Sequence, residues 1–258
     1  MVFQLLDKLM FARGPIGITE MAELLNEPKP RVYRHLASLR QLGIVEQDSQ
    51  TEKYRLGARL VVYGQAASEQ FDLRAIADPY LTRLRDATGE SAMVSIATNG
   101  TALVIATADS LNNVCISVKP GNRVHAHCTA QGRIVLAFTE ESALNQVAAS
   151  EMRKFNASTI CTSTNLRQRV ALVKERMWDV AEGEITPGIS AIAAPVFRNE
   201  NTLAGTIGIV GASVNIPADP PIALVREVQK IAAEMSERLN NHSYSAVFSK
   251  TREGRRRS

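Results

Sequence analysis

Between Lys29 and Gln41 the chain carries Lys29, Arg31, Arg34, His35 and Arg40 without one acidic residue, while Val32, Leu36 and Leu39 recur at helical spacing. A helix over this run buries those three apolar side chains and turns Lys29, Arg31, Arg34, His35 and Ser38 outward. Cations and hydrogen-bonding groups sharing a helix face suit the major groove of DNA. Arg there binds guanine O6 and N7 in a bidentate pair, and Lys or further Arg residues bind phosphates. A merely solvated basic face is the plainer alternative, and what surrounds the run decides against it.

A second group is His125, His127 and Cys128. Zinc or a Cys–His nucleophile would use these residue types, but a metal needs a third or fourth ligand, and nothing in the sequence places Cys161 or Asp179 nearby. A pocket rim or packed core is the simpler assignment, so no cofactor, metal ligand or catalytic residue is assigned. Gly205, Gly208 and Gly211 fall at G-x-x-G-x-x-G within a strand-like segment, the wrong spacing and context for dinucleotide binding. Close backbone approach explains them better. The competing reading is an enzyme working through a His127/Cys128 pocket and recruited to nucleic acid by the N-terminal module.

The elements that would position the basic helix are legible. Val2, Leu5, Leu6, Leu9 and Met10 predict a first helix ending near Arg13-Gly14-Pro15. Thr19 reads as the N-cap of a second, with Glu20 and Glu23 in its first turn. Asn26 to Pro28 is the turn, and Pro30 is acceptable at the start of the third helix. Two alternating segments follow, Ile44 to Gln47 and Lys53 to Leu56, around the polar tip Asp48 to Glu52. This is the plan of a winged helix-turn-helix, and Lys53 and Arg55 can reach phosphates beside the groove.

Composition sets limits on the rest. At 258 residues and 45% hydrophobic content the chain can build two ordinary cores. Its net charge of +4 is misleading, because the last ten residues, SKTREGRRRS from Ser249, carry all of it. No apolar run approaches the roughly 20 residues of a membrane span. Asp7 and Lys8 interrupt the N-terminal apolar pattern, so a signal peptide is not read and cytoplasm is expected. Three cysteines without C-x-x-C spacing argue against a disulfide framework.

Gly57 to Pro79 predicts one or two connecting helices able to pair with a second chain. Beyond Gly89 the period changes to two. Ser91 to Thr98 and Thr101 to Asp109 flank Asn99-Gly100, a hairpin signal, and a third strand is predicted at Val114 to Val118. HAHCTAQGRIVLAF from His125 reads as a loop entering a helix, with further helices at Glu140 to Ala149 and Leu166 to Trp178. Two buried strands around Arg198 to Asn201 and a closing helix at Ile222 to Leu239 complete an α+β domain with a cavity on its sheet.

The order of these parts resembles the IclR family of bacterial transcriptional regulators over nearly the whole chain. PKPRVYRHLASLRQLGIVEQD is similar to the family's recognition helix and wing, YRLGARL to the start of its linker, HAHCTAQGRIVLAF to its pocket loop and helix, and GISAIAAPVF to the start of its last hairpin. The resemblance implies a winged helix-turn-helix at 1–58, a linker helix for dimerisation at 59–78 and a GAF-like antiparallel-sheet effector domain at 79–245. A basic tail at 246–258 is expected to be disordered. It implies a homodimer or dimer of dimers on a palindromic double-stranded DNA operator and a small organic effector; repression of a catabolic operon is the expected outcome, with activation the open alternative.

Matching segments place Ala130, Gln131, Ala181, Ala191, Gly208 and Val210 around that effector, with His127, Cys128, Thr129 and Gln131 supplying its few hydrogen bonds. Members that bind small oxo acids tend to offer an acidic residue, a Cys and hydroxyls at the four later positions. Here those are Ala181, Ala191, Gly208 and Val210. The expected ligand is therefore larger or less polar than glyoxylate or pyruvate: an aromatic acid, lactone or semialdehyde.

Overall fold

The computed structural model describes residues 1–69, 72–98, 100–113, 115–199 and 202–244. Asn99, Val114, Asn201 and the basic tail, on which expectations above rest, lie outside the described residues. Two units separate, Met1–Phe71 and Asp72–Ser258.

In the first unit, α1 (Val2–Phe11), α2 (Ile18–Leu25) and α3 (Lys29–Gln41) precede the strands β1 (Val45–Gln47) and β2 (Tyr54–Leu56), and α4 (Arg59–Glu69) follows. Leu5, Leu9, Met21, Val32, Leu36, Leu39, Val45 and Tyr54 close one core, which is why these short elements form at all. Thr19 is not the cap expected. Gly17 occupies the N-cap of α2, and Thr19 lies inside the first turn. Asn26 ends α2 in the left-handed conformation, and its N–H bonds to the Ala22 and Glu23 carbonyls. Pro30 sits in the first turn of α3, where no intrahelical donor is lost.

The wing is antiparallel, with Val45 opposite Leu56 and Gln47 opposite Tyr54. At its tip Asp48 Oδ1 accepts from the Thr51 N–H (2.7 Å), the Thr51 hydroxyl (2.9 Å) and the Gln50 N–H (3.1 Å). Thr51 foremost, then Gln50, hold this carboxyl below the usual carboxylate range. Its support of the turn is complete above that range and is lost as pH falls through the lowered value. An NMR titration should show the Gln50 and Thr51 amide signals following one carboxyl that titrates abnormally low. Titration at the ordinary value would deny these bonds.

In the second unit, α5 (Asp72–Thr88) leads into β3 (Ser91–Thr98), β4 (Thr101–Ala108), β5 (Arg123–Val124), α6 (Ala130–Phe138), α7 (Glu141–Ala149), α8 (Ser163–Arg176), β6 (Asp179–Glu182), β7 (Ile189–Arg198), β8 (Thr202–Ala212) and α9 (Ile222–Arg238). The strands form one sheet, β5-β4-β3-β8-β7-β6, antiparallel throughout. α5 and α9 cover one face and α6 the other, with α8 packed on α6.

Three expectations change here. Residues 72–78, assigned to the linker, belong to this unit, because α5 turns Leu73, Ala77, Leu81 and Leu84 into its core at helical spacing. The strand expected at Val114 to Val118 does not form over 115–118. Ile116 and Val118 wall a cavity instead, and β4 pairs with Arg123–Val124. The helix expected to reach Trp178 stops at Arg176, where Met177 turns left-handed and β6 begins.

Candidate functional sites: a basic helix face and a cavity under the sheet

Of the seven side chains expected on DNA, Lys29, Arg31, Arg34, Ser38, Lys53 and Arg55 are exposed and His35 is half-buried. They are not equally available. Arg31 pairs with Glu27 (3.0 Å), Arg55 pairs with Glu46 through Nε and Nη2, and the Ser38 hydroxyl donates to the Arg34 carbonyl (3.0 Å). Among the described residues the side chains of Lys29, Arg34, His35 and Lys53 themselves form no ion pair or hydrogen bond. Arg40 instead donates to Gln47 Oε1 (2.5 Å), whose amide donates to the Glu52 carbonyl, so the end of α3 is tied to the wing. Arg59 donates to the Leu42 carbonyl (2.9 Å) and tethers α4 to the end of α3. Tyr33, half-exposed on α3, was not singled out from the sequence although it follows Val32 onto the outward side.

A cavity of about 420 Å³ lies on the α6 side of the sheet, within the range of roughly 300–1,000 Å³ usual for small-molecule sites. Met93, Val210, Ala191, Ala181 and Ile189 form its sheet wall, Ile116 and Val118 its loop wall, and Cys128, Thr129 and Gln131 the start of α6. Six expected residues therefore meet here: Cys128, Thr129, Gln131, Ala181, Ala191 and Val210. Three do not. His127 is buried with Nε2 2.9 Å from the Arg153 carbonyl oxygen. Ala130 is buried in the core, one position round the helix from the lining residues. Gly208 stands between Met93 and Ala193 in the sheet, its missing Cβ only 2.3 Å from the Ile192 carbonyl, so it allows close packing and Met93 faces the cavity.

Roles change as well. Thr129 caps α6: its hydroxyl accepts from the Gly132 N–H (3.1 Å) and donates to the His125 carbonyl (2.8 Å), leaving it no proton for a ligand. Burial, and next the Glu184 carboxylate, push the Cys128 thiol up to about 12, so it stays protonated and is a poor nucleophile near neutral pH. Gln131 Nε2 donates to Met93 Sδ at 3.0 Å, a weak acceptor. Among the described residues no three His, Cys, Asp or Glu are grouped to hold a metal ion.

Behind the cavity lies an ion cluster that sequence reading missed. Arg133, fully buried on α6, donates from Nε to Asp179 (2.5 Å), from Nη1 to Glu184 and the His127 carbonyl, and from Nη2 to the Val180 carbonyl. Arg169 and Arg176 also reach Asp179. Glu184 lines the cavity, and Arg123 and His125 join it from the exposed side. A wider depression of about 960 Å³ in the first unit is bordered by Asp7, Lys8, Arg13, Glu20 and Lys53 together with Phe11, Ile16, Leu24 and Leu25.

A winged helix-turn-helix joined to a domain with a small-molecule cavity defines a ligand-responsive DNA-binding regulator, and comparison agrees. The IclR helix-turn-helix domain matches residues 2–49 and the bacterial transcriptional regulator IclR C-terminal domain matches residues 65–237. The chain belongs to the IclR family of bacterial transcriptional regulators. It is 27% identical over 244 residues to the HTH-type transcriptional regulator KdgR of Dickeya chrysanthemi, covering 94% of this chain and 80% of that one. It is 28% identical over 234 residues to BhcR of Paracoccus denitrificans, covering 90% and 83%. The IclR transcriptional regulator structure from Alicyclobacillus acidocaldarius superposes with a TM-score of 0.78 at 26% identity, covering 92% of this chain and 96% of that one. An IclR homologue from Microbacterium hydrocarbonoxydans, solved with 4-hydroxybenzoate, shares the fold with a TM-score of 0.80 at 19% identity over 93% and 97%.

Proposed function

We propose that the chain represses a catabolic operon, acting in the cytoplasm as a homodimer or dimer of dimers on a palindromic operator. The effector is an apolar-bodied organic molecule such as an aromatic acid, lactone or semialdehyde. The observation that carries the effector class is the wall of Met93, Ile116, Val118, Ile189, Ala191 and Val210, which leaves a small oxo acid few polar partners. The 4-hydroxybenzoate held by the Microbacterium homologue is a ligand of this class. Val61, Val62 and Tyr63 on α4, 71%, 65% and 49% exposed, support pairing with a second copy, since bare apolar surface of this kind favours association. Two recognition helices then address two half-sites. The effector shifts operator affinity by its differential affinity for the competent and incompetent arrangements.

Calorimetric titration with a panel of acids, lactones and semialdehydes, alongside operator release in a gel shift, tests this. Tight glyoxylate or pyruvate binding with aromatic compounds inert would overturn the effector class. On the DNA side, Arg34 is the best base-contacting candidate, because Arg31 and Arg55 are already paired. Arg34→Ala is expected to weaken specific operator binding by about 1–3 kcal/mol. Lys29→Ala and Lys53→Ala should instead weaken all sequences alike, each lowering the salt slope by about 0.9. Equal operator affinity of Arg34→Ala and wild type would remove Arg34 from the reading face.

A further inference from the structure

The cavity's two charged ends lie on opposite edges of the sheet. Arg123 sits on edge strand β5, and Glu184 follows edge strand β6. Both line the same space, one exposed and the other 8% exposed. Between them the walls are mostly apolar. The ends also differ in what they have left to offer.

A carboxylate has about four acceptor positions. Glu184 Oε2 takes Arg133 Nη1 (2.9 Å) and the Ile160 N–H (3.3 Å), whereas Oε1 takes Arg133 Nη1 alone (2.8 Å). One acceptor position on Oε1 is therefore unused. A cationic ligand group is not what this end requires. Glu184 belongs to a cluster in which three guanidinium groups, of Arg133, Arg169 and Arg176, already outnumber the two carboxylates. The complement is a neutral donor, a hydroxyl. At the other end Arg123 has no acidic partner or side-chain hydrogen bond among the described residues. A guanidinium beside an apolar cavity is suited to a carboxylate, which it can bind with two parallel hydrogen bonds.

Resting on the effector reading above, we propose that the effector is a hydroxylated carboxylic acid lying across the cavity, its carboxylate paired with Arg123 and its hydroxyl donating to Oε1 of Glu184. Glu184 and Arg123 are then the residues that set specificity, and the apolar walls hold the body between them. The orientation is fixed, because reversing the ligand would put its carboxylate against that of Glu184 and leave Arg123 without a counter-charge.

Titration calorimetry of the full chain with 3- and 4-hydroxybenzoate, benzoate and 4-hydroxybenzyl alcohol separates the two ends. In the wild type the better hydroxybenzoate should bind about 10- to 100-fold tighter than benzoate, a ratio expected of one hydrogen bond to a charged group. It should also bind tighter than the neutral alcohol. Glu184→Gln should collapse the hydroxyl ratio and leave the charge ratio, and Arg123→Gln should do the reverse. The wild-type ratios and the exposed Arg123 variant stand even if Glu184→Gln folds poorly. Equal binding of benzoate and the hydroxybenzoates, or no binding of either hydroxybenzoate, overturns the proposal. If a lactone or semialdehyde then binds and releases operator, the effector reading survives without it; if no small organic molecule does, both fall.

Discussion

Arg133→Ala is expected to destabilise the second unit by about 3–5 kcal/mol, because removing one partner of a buried ion pair leaves the other charge uncompensated. Asp179 would keep only Arg169 and Arg176, and Glu184 only the Ile160 N–H. The His127 and Val180 carbonyls would also lose a donor. For a unit of this size the loss should lower the melting temperature by roughly 6–20 °C. Denaturant unfolding followed by tryptophan fluorescence is well placed to read it, since Trp178 adjoins the cluster through Arg176. Arg133→Lys should fall between, as an ammonium cannot span Asp179, Glu184 and two carbonyls with a planar fork. Combining Arg133→Met with Glu184→Gln should recover part of the loss, since Asp179 then keeps Arg169 and Arg176 and no buried carboxylate is left without its partner. A shift below about 1 kcal/mol for Arg133→Ala would show that the cluster is not closed as described.

Gly132→Ala is the second large effect, and it acts on the pocket. A Cβ at Gly132 would stand 2.6 Å from Ala126 Cα and 2.7 Å and 2.8 Å from the His125 and Ala126 carbonyl oxygens. All three are backbone atoms, so no side chain can swing away. The segment carrying His125 and Cys128 must move off α6, breaking the Thr129 hydroxyl bridge between His125 and Gly132. Overpacking of this kind costs about 1–3 kcal/mol, against a gain of roughly 1 kcal/mol from Ala over Gly within a helix. Effector affinity should fall with it, whereas operator binding by the first unit, which has its own core, should persist without effector control. A stabilised variant with normal effector affinity would refute the close approach.

These two residues mark where the sequence stopped being informative. The three helices, the wing and the hairpin were legible because each rests on a local signal: Val32, Leu36 and Leu39 on one helix face, and the alternation of β4 after Gly100. Arg133 was hidden among the apolar residues of QGRIVLAF, since its partners lie 46 and 51 residues away and no local pattern announces them. β6 is four residues long, with Asp179 buried, and so lacks an alternating signature. The apolar alternation at Ile116 and Val118 was real but served a cavity wall, not a sheet. Six of the nine positions that the resemblance implies border this cavity. The resemblance could not foresee that His127 is drawn onto a carbonyl while His125, Arg123 and Glu184 face the space.

The two hydrophobic cores, Leu5 to Tyr54 and Leu73 to Tyr244, share no residue. Sequence change in one therefore leaves the packing of the other untouched. Under the proposed function, a lineage can drift toward a new effector by altering Ala181, Ala191 or Val210 while its operator stays fixed, or acquire a new operator through α3 while its effector stays fixed. Divergence of input and output at separate rates follows from that division, and it lets one scaffold be rewired one half at a time.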